Sequence, residues 1–420
     1  RLARFFLQSG DQKKALDEVG KGLKVDPNNL GLLSLDAELL ARTGDRAGTK
    51  SALDKIVQEY PGNPVGYQGL AGLYLADKRY DDALKEYDRA LKVAPKNPEL
   101  LQQKAAVLAQ QQKYAQAAGL LEKIQADYPK SPQGYFQLGE LYFVQKDYAK
   151  ARAQFEDALQ RSGKDAAQPL QAIARSYLAE KKPAEAVARV RSFLKDQPDN
   201  AYAYDLLGNL YLVQSDYANA AQALHKASAL NPSWVNPYVD LSKVHMAQKQ
   251  PTKAIAVLQR GLKDQPAQLQ LLFPLAAIYQ ESGDPDQSIA TYRKVLEASP
   301  KNLLATNNLA MLLAGRENDP KGMAEAVSLA KEMEGVRDPA IQDTVGWVYY
   351  QSGDASKAVP VLEAVVKAAP KIPIFQYHLG MALYKAGKTR DAKTHLEQAL
   401  AKGGDFPGAA DARKVLAGLK

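Results

Sequence analysis

Residues 64–97 read PVGYQGLAGLYLADKRYDDALKEYDRALKVAPKN. Two apolar series run through them: Tyr67, Leu70, Ala71 and Tyr74, then Ala83, Tyr87 and Ala90. Their spacing of three and four residues is that of an amphipathic helix, so the stretch predicts two helices. Pro95 ends the second, because proline cannot continue a helix and biases the residue before it out of the helical region.

The stretch recurs. Pro27, Pro61, Pro95 and Pro129 are spaced by 34 residues, and so are Pro198, Pro232, Pro266 and Pro300. With that proline at position 32 of a 34-residue frame, Tyr135, Leu138, Gly139 and Tyr142 align with Tyr204, Leu207, Gly208 and Tyr211. Position 8 holds Gly139, Gly208, Gly346 and Gly380, or Ala71, Ala174, Ala276 and Ala310. Only a small side chain there lets the two helices of a hairpin approach, with the position-20 alanine, such as Ala220, doing the same from the second helix. Asp11, Asp45, Asp147, Asp216, Asp284 and Asp354 share position 16, where a carboxylate can cap the second helix. Pro183, Pro251 and Pro285 follow at the next position, in the first helical turn, where a missing N–H costs nothing. A unit of this kind must stack on its neighbours, so the chain reads as an all-α array and as a surface for binding rather than a pocket for chemistry.

This pattern resembles the tetratricopeptide repeat (TPR) family over nearly the whole chain. The resemblance implies a right-handed α-solenoid of antiparallel helix pairs. The units run 1–29 (entered midway), 30–63, 64–97, 98–131, 132–166, 167–200, 201–234, 235–268, 269–302, 303–338, 339–372 and 373–406. The expected organisation is one TPR solenoid over 1–406 and a capping helix over 407–420, whose Ala410, Val415, Leu416 and Leu419 cover the last apolar face. Residues 163–168 and 315–322 break the frame and are candidate seams.

Composition bounds the function. The chain has 420 residues and a net charge of +8, and 46% of its residues are hydrophobic. The positive excess is spread thinly, without a basic run, and reads as a solvated mixed-charge surface; nucleic acid is not an expected partner. The absence of cysteine removes disulfides and thiolate chemistry, which fits an exported protein and is compatible with a cytosolic one. No stretch is long and apolar enough to cross a membrane. The sequence begins inside a repeat, so a signal peptide or lipid anchor would stand upstream of Arg1.

No constellation for catalysis is legible. His225, His245, His378 and His395 form no metal-ligand pair, and His245 and His395 fall at core positions. Gly387-Lys388-Thr389 resembles the end of a phosphate loop, but Ala382 stands where that loop needs glycine, and the triplet occupies an inter-helix turn. The expectation is a protein that is not an enzyme and takes no cofactor and no metal.

In TPR arrays the first helix of each unit lines the concave side, and the resemblance assigns positions 2, 5, 9, 12 and 13 to it. These are Phe136, Glu140, Phe143 and Val144; Arg175 and Leu178; Tyr202, Asp205, Asn209 and Leu212; Val239, Lys243 and Met246; and Phe273. They continue as Asn307 and Met311; Asp343, Trp347 and Tyr350; and Tyr377, Met381 and Tyr384. Aromatic and methionine side chains on such a surface favour partner burial, so a protein or peptide is the expected occupant. Trp347, Tyr350, Tyr377 and Tyr384 also suggest direct polysaccharide binding. The two-carboxylate clamp of chaperone-binding TPR domains is absent: Gln68 and Gly72, then Gln102 and Ala106, stand where it needs lysine and asparagine.

The last units are the most distinctive. Asn307-Asn308-Leu309-Ala310, Asp319-Pro320, Asp343-Thr344-Val345-Gly346-Trp347, Tyr377-His378-Leu379-Gly380 and Gly403-Gly404-Asp405-Phe406-Pro407 are similar to the C-terminal part of bacterial TPR proteins encoded with exosortase (PEP-CTERM) and exopolysaccharide systems, often lipoproteins. That resemblance implies a periplasmic or envelope scaffold for exopolysaccharide synthesis, export or surface-protein sorting. The alternatives are a cytoplasmic adaptor or regulatory array of a larger enzyme, and a helical repeat that binds polysaccharide or nucleic acid directly.

Overall fold

A computed structural model describes residues 2–163, 165–263, 265–401 and 406–419. Among them there are 25 α-helices and no strand. The helices pair as the 34-residue frame predicts. Pro64–Ala76 packs on Tyr80–Val93, Pro132–Val144 on Tyr148–Arg161, and Ala201–Val213 on Tyr217–Leu230. The chain forms two compact units, Arg1–Gln197 and Pro198–Lys420.

Each hairpin is built by the same chemistry. The carboxylates of Asp45, Asp147, Asp216, Asp284 and Asp354 accept a hydrogen bond from the backbone N–H three residues on, at the start of the second helix. Pro183, Pro251 and Pro285 open their helices. A second cap, at position 34, serves the next first helix: Asn29, Asn63, Asn97 and Asn302 accept from its free N–H groups.

The turn inside most hairpins passes through a left-handed residue at position 15. In some repeats this is glycine, as at Gly44 (φ 81°) and Gly353 (φ 91°). In others a side chain is forced there, as at Lys78 (φ 58°), Lys146 (φ 61°) and Lys181 (φ 58°). The backbone earns hydrogen bonds in return; the N–H of Arg79 reaches the carbonyl of Tyr74 at 2.8 Å.

Within the unit Arg1–Gln197 the core is a series of small clusters, such as Leu33, Leu53, Ile56 and Leu70, then Leu101, Leu121, Ile124 and Leu138. Each joins a hairpin to the first helix of the next repeat, as stacking requires. Within Pro198–Lys420 one cluster joins Leu309, Ala330, Val345, Leu362 and Leu379 across several repeats. The closing helix Ala409–Gly418 lies against the last repeat, with Ala412, Leu396 and Tyr377 in one cluster.

The two breaks in the frame are local. Arg161 ends one helix and Ala167 begins the next, with Gly163 left-handed between them; Lys164 lies outside the described residues. At 315–319 a lengthened turn joins Leu303–Ala314 to Pro320–Met333, held by Arg316, whose guanidinium is 2.5 Å from Asp286. Gly403, Gly404 and Asp405 also lie outside the described residues.

Candidate functional site

The helix Pro132–Val144 carries Phe136, Glu140 and Phe143 on one face, because residues three and four apart share a side. The next first helix, Ala167–Ala179, brings Arg175 against them. Arg175 pairs with the Glu140 carboxylate, and its guanidinium lies 4.2 Å from the Phe143 ring centroid. The cation is therefore held from two sides, by charge and by the ring face. Phe136 rests on Phe155 at 5.5 Å, and Phe155 is fully buried. Above Phe136 lies a cavity of about 400 Å³, lined also by Glu140, Gln168, Gln171, Ala172 and Arg175. Val144 stands beside this set with 64% of its surface exposed. Phe136, Glu140 and Arg175, all expected on the groove, thus line one hollow, and Phe143 meets it only through Arg175.

In the unit Pro198–Lys420 the expected residues divide. Tyr202 stacks on Trp234 with ring centroids 6.0 Å apart. Val239, Met246 and Leu212 pack partly buried against the local core, and Phe273 lies edge-on to Tyr292. Asn209 donates to Asp240 at 3.1 Å, and Lys243 pairs with Asp240 at 2.7 Å. Asn307 donates to its neighbour Asn308, and Met311 is half-buried. Tyr384 is 42% exposed.

Three residues expected on an open groove are buried. Asp205 is 7%, Asp343 5% and Tyr377 4% exposed. Asp205 and Asp343, both at position 5, point sideways, toward position 6 of the next repeat. Asp343 meets His378 there at 2.8 Å, and Asp205 meets Asp240 through Asn209. Burial and the neighbouring Asp240 charge push the Asp205 carboxyl up to about 7. Tyr377 is covered by the closing helix: Phe406 packs on it at 5.5 Å, and a Cβ at the left-handed Gly408 would fall 2.3 Å from its ring. Burial pushes its hydroxyl up to about 12.

The aromatic side chains of the final repeats also engage one another. Trp347 stacks on His378 at 3.9 Å and on Tyr350 at 4.7 Å, so its ring is already engaged. His225 and His245 adjoin one another, 6.4 Å between rings, with burial lowering both from their usual range. Among the described residues no group of three histidine or acidic side chains converges as a metal site.

The sequence reading passed over several lining residues. Gln168 and Gln171 stand at groove positions 2 and 5 of the unit 167–200, where glutamine gives no aromatic or charged signal. Trp234 precedes its helix and falls outside the first-helix positions. A second hollow, of about 440 Å³, lies where Ala37, Ala41, Gly69, Gly72 and Ala76 leave space between two first helices. Its only signal in the sequence is that run of small residues.

Comparison with known proteins agrees with the architecture. The tetratricopeptide repeat model matches residues 40–107 and 349–419, and the TPR domain of cytochrome c-type biogenesis protein H matches 174–304. The repeats are tetratricopeptide repeats. The model for anaphase-promoting complex, cyclosome, subunit 3 also matches residues 76–158. Over 166 residues the TPR chain is 25% identical to Protein O-mannosyl-transferase TMTC1 of Homo sapiens, an alignment that takes in 38% of this chain and 18% of that one. Over 110 residues it is 33% identical to ER membrane protein complex subunit 2 of Xenopus tropicalis, covering 26% of this chain and 37% of that one. The chain therefore spans less than two fifths of either relative. A solved structure of Naa15/Naa10 bound to HypK-THB covers 99% of this chain and 65% of that chain, with 16% identity and a TM-score of 0.41.

Proposed function

We propose that this TPR chain is a non-catalytic scaffold that holds a protein partner on the first-helix face of its repeats. The observation that carries this reading is the hollow over Phe136, walled by Glu140 and by an Arg175 that also meets the Phe143 ring, beside the exposed Val144. An aromatic floor, an arginine fixed by two neighbours and polar walls are the ingredients of a partner-anchoring surface. TMTC1 carries the name of a transferase, but the matched segment is 18% of its length, and the activity proposed here is binding alone.

The proposal extends to place. The scaffold works in the bacterial periplasm or envelope, organising exopolysaccharide synthesis, export or surface-protein sorting. One feature supports this: the final units are similar to those of envelope TPR proteins.

A photo-crosslinking residue at Val144 tests the binding reading in the native cell. The expected result is one discrete crosslinked protein, lost in Arg175→Glu and absent with the same probe at Lys195 on a second helix. Identical products at Val144 and Lys195, or none at either, would sink it. Fractionation of the same cells tests the compartment, and recovery in the soluble cytoplasm would refute the envelope assignment.

A further inference from the structure

In two repeats a tyrosine at position 4 of the first helix meets a cation at position 26 of the second. The pairs are Tyr67 with Arg89 and Tyr238 with Arg260. The Arg89 guanidinium lies 4.6 Å from the Tyr67 ring centroid, and that of Arg260 lies 5.2 Å from the Tyr238 centroid. Each hydroxyl donates to the carbonyl of the position 32 proline before its own repeat. Tyr67 reaches Pro61 and Tyr238 reaches Pro232, both at 3.1 Å. The phenol is thus held by a cation over its ring and an acceptor at its tip.

The repeat 269–302 keeps this frame and lacks the ring. Position 4 is Leu272, position 26 is Lys294 and the preceding proline is Pro266. All three line one cavity of about 520 Å³ between the second helices Pro251–Leu262 and Pro285–Ala298. Leu272 and Leu275 are buried and give it an apolar floor, and Arg260 and Lys263 stand at its wall. None of the described residues lining it is acidic. Lys263 and Lys294 are exposed, and neither forms a hydrogen bond or ion pair with another described residue. A leucine at position 4 can be compensated: beside Leu101, Lys123 at position 26 donates to the Pro95 carbonyl at 3.1 Å. Among the described residues nothing donates to the Pro266 carbonyl.

We infer that this cavity binds a small phenol that carries an anionic group. Its ring takes the place that Tyr67 and Tyr238 take in their own repeats. Its hydroxyl donates to the Pro266 carbonyl, and the Lys294 ammonium stands over the ring. A single ring does not fill the volume, so the ligand extends beyond it, and Arg260 and Lys263 make an anion the favoured extension. The site lies on second helices and takes a small molecule, so it stands or falls independently of the partner-binding reading above.

The probe is 4-hydroxyphenylacetate, titrated onto the full chain and followed by saturation-transfer NMR. Saturable binding is expected. Phenylacetate lacks the hydroxyl and should bind about threefold to tenfold more weakly. Tyramine, whose side chain carries the opposite charge, should not compete. Leu272→Tyr supplies the missing ring from the protein itself and should abolish binding while raising the melting temperature. Lys294→Ala, at an exposed position, should weaken binding about threefold or more without unfolding the chain, and it carries the test should Leu272→Tyr fail to fold. Unchanged affinity in Lys294→Ala or in a folded Leu272→Tyr, or no saturable binding of 4-hydroxyphenylacetate, overturns the inference. Equal affinity for phenylacetate would show that Pro266 receives no hydroxyl, and it overturns the phenol.

Discussion

Nδ1 of His378 lies 2.8 Å from Oδ2 of Asp343, and neither residue has more than a twentieth of its surface exposed. The two belong to consecutive repeats, on helices Pro339–Gln351 and Pro373–Lys385. Burial pushes the Asp343 carboxyl above its ordinary range, and the histidine opposes that shift. With the carboxylate ionised, Nδ1 is the donor. Removing the donor leaves a buried charge without its partner, at a cost of about 3 kcal/mol or more. His378→Ala should therefore loosen residues 339–400 by that amount in native-state hydrogen exchange. His378→Asn keeps a donor near the same place and should cost clearly less. Equal losses for the two variants would show that the ring packs on Trp347 without serving the carboxylate.

Gly208 tests the hairpin contact. A Cβ built on it would fall 2.5 Å from Leu224 Cγ and 3.4 Å from the carbonyl of Ala220. Gly346 meets Leu362, and Gly139 meets Phe155, at the same distance. Gly208→Leu is expected to destabilise its hairpin by about 1–3 kcal/mol or more through overpacking. Leu224→Ala in that background should recover part of the loss, since the two sites share one space. Simple addition of the two losses in urea unfolding would contradict this.

How far the fold was legible follows from what a repeat position encodes. Position 16 carboxylates and position 8 glycines act within one hairpin, so Asp147 and Gly139 could be assigned from one unit's residues. First-helix phase also sets the side on which Glu140, Phe143 and Arg175 stand. Position 5 is different. Whether Asp205 or Asp343 faces solvent depends on position 6 of the following repeat, Asp240 or His378, and a single-unit frame is blind to that lateral contact. Tyr377 was misplaced because the closing helix, which is not a repeat, lies over it. The position 34 asparagines cap the helix that follows them, a role that shows only once the helix starts are placed.

The left-handed turn makes a prediction of opposite sign. Lys181 holds φ at 58° and is exposed, as is Lys78. A side chain in that region costs about 1–2 kcal/mol that glycine avoids, less the extra entropy glycine loses on folding. Lys181→Gly should therefore raise the stability of its hairpin by about 0.5–1 kcal/mol. Gly44 and Gly353, at the same position of other repeats, show that the turn accepts glycine in this chain. A destabilised Lys181→Gly, measured by hydrogen exchange in residues 167–196, would mean that the lysine makes a compensating contact.

Asp205 gives the unit Pro198–Lys420 a pH dependence of defined sign. Its Oδ1 is buried without a hydrogen-bond partner, while Oδ2 shares the Asn209 amide with Asp240, itself paired to Lys243. Its pKa is about 7 in the folded chain and about 3.9 when unfolded. Between those values the folded state keeps a proton that the unfolded state has released. Stability from this group is therefore greatest below about pH 4, falls as pH rises toward 7 and levels off above it. Asp205→Asn cannot ionise and removes that fall. The difference between variant and wild type should be small at pH 4 and grow to a few kcal/mol in favour of the variant by pH 8. Unfolding measured on both proteins from pH 4 to 9 reads this, because contributions from groups that do not interact with Asp205 cancel in the difference. A flat difference would show that Asp205 stays ionised, with Lys243 and Asn209 compensating the Asp240 charge.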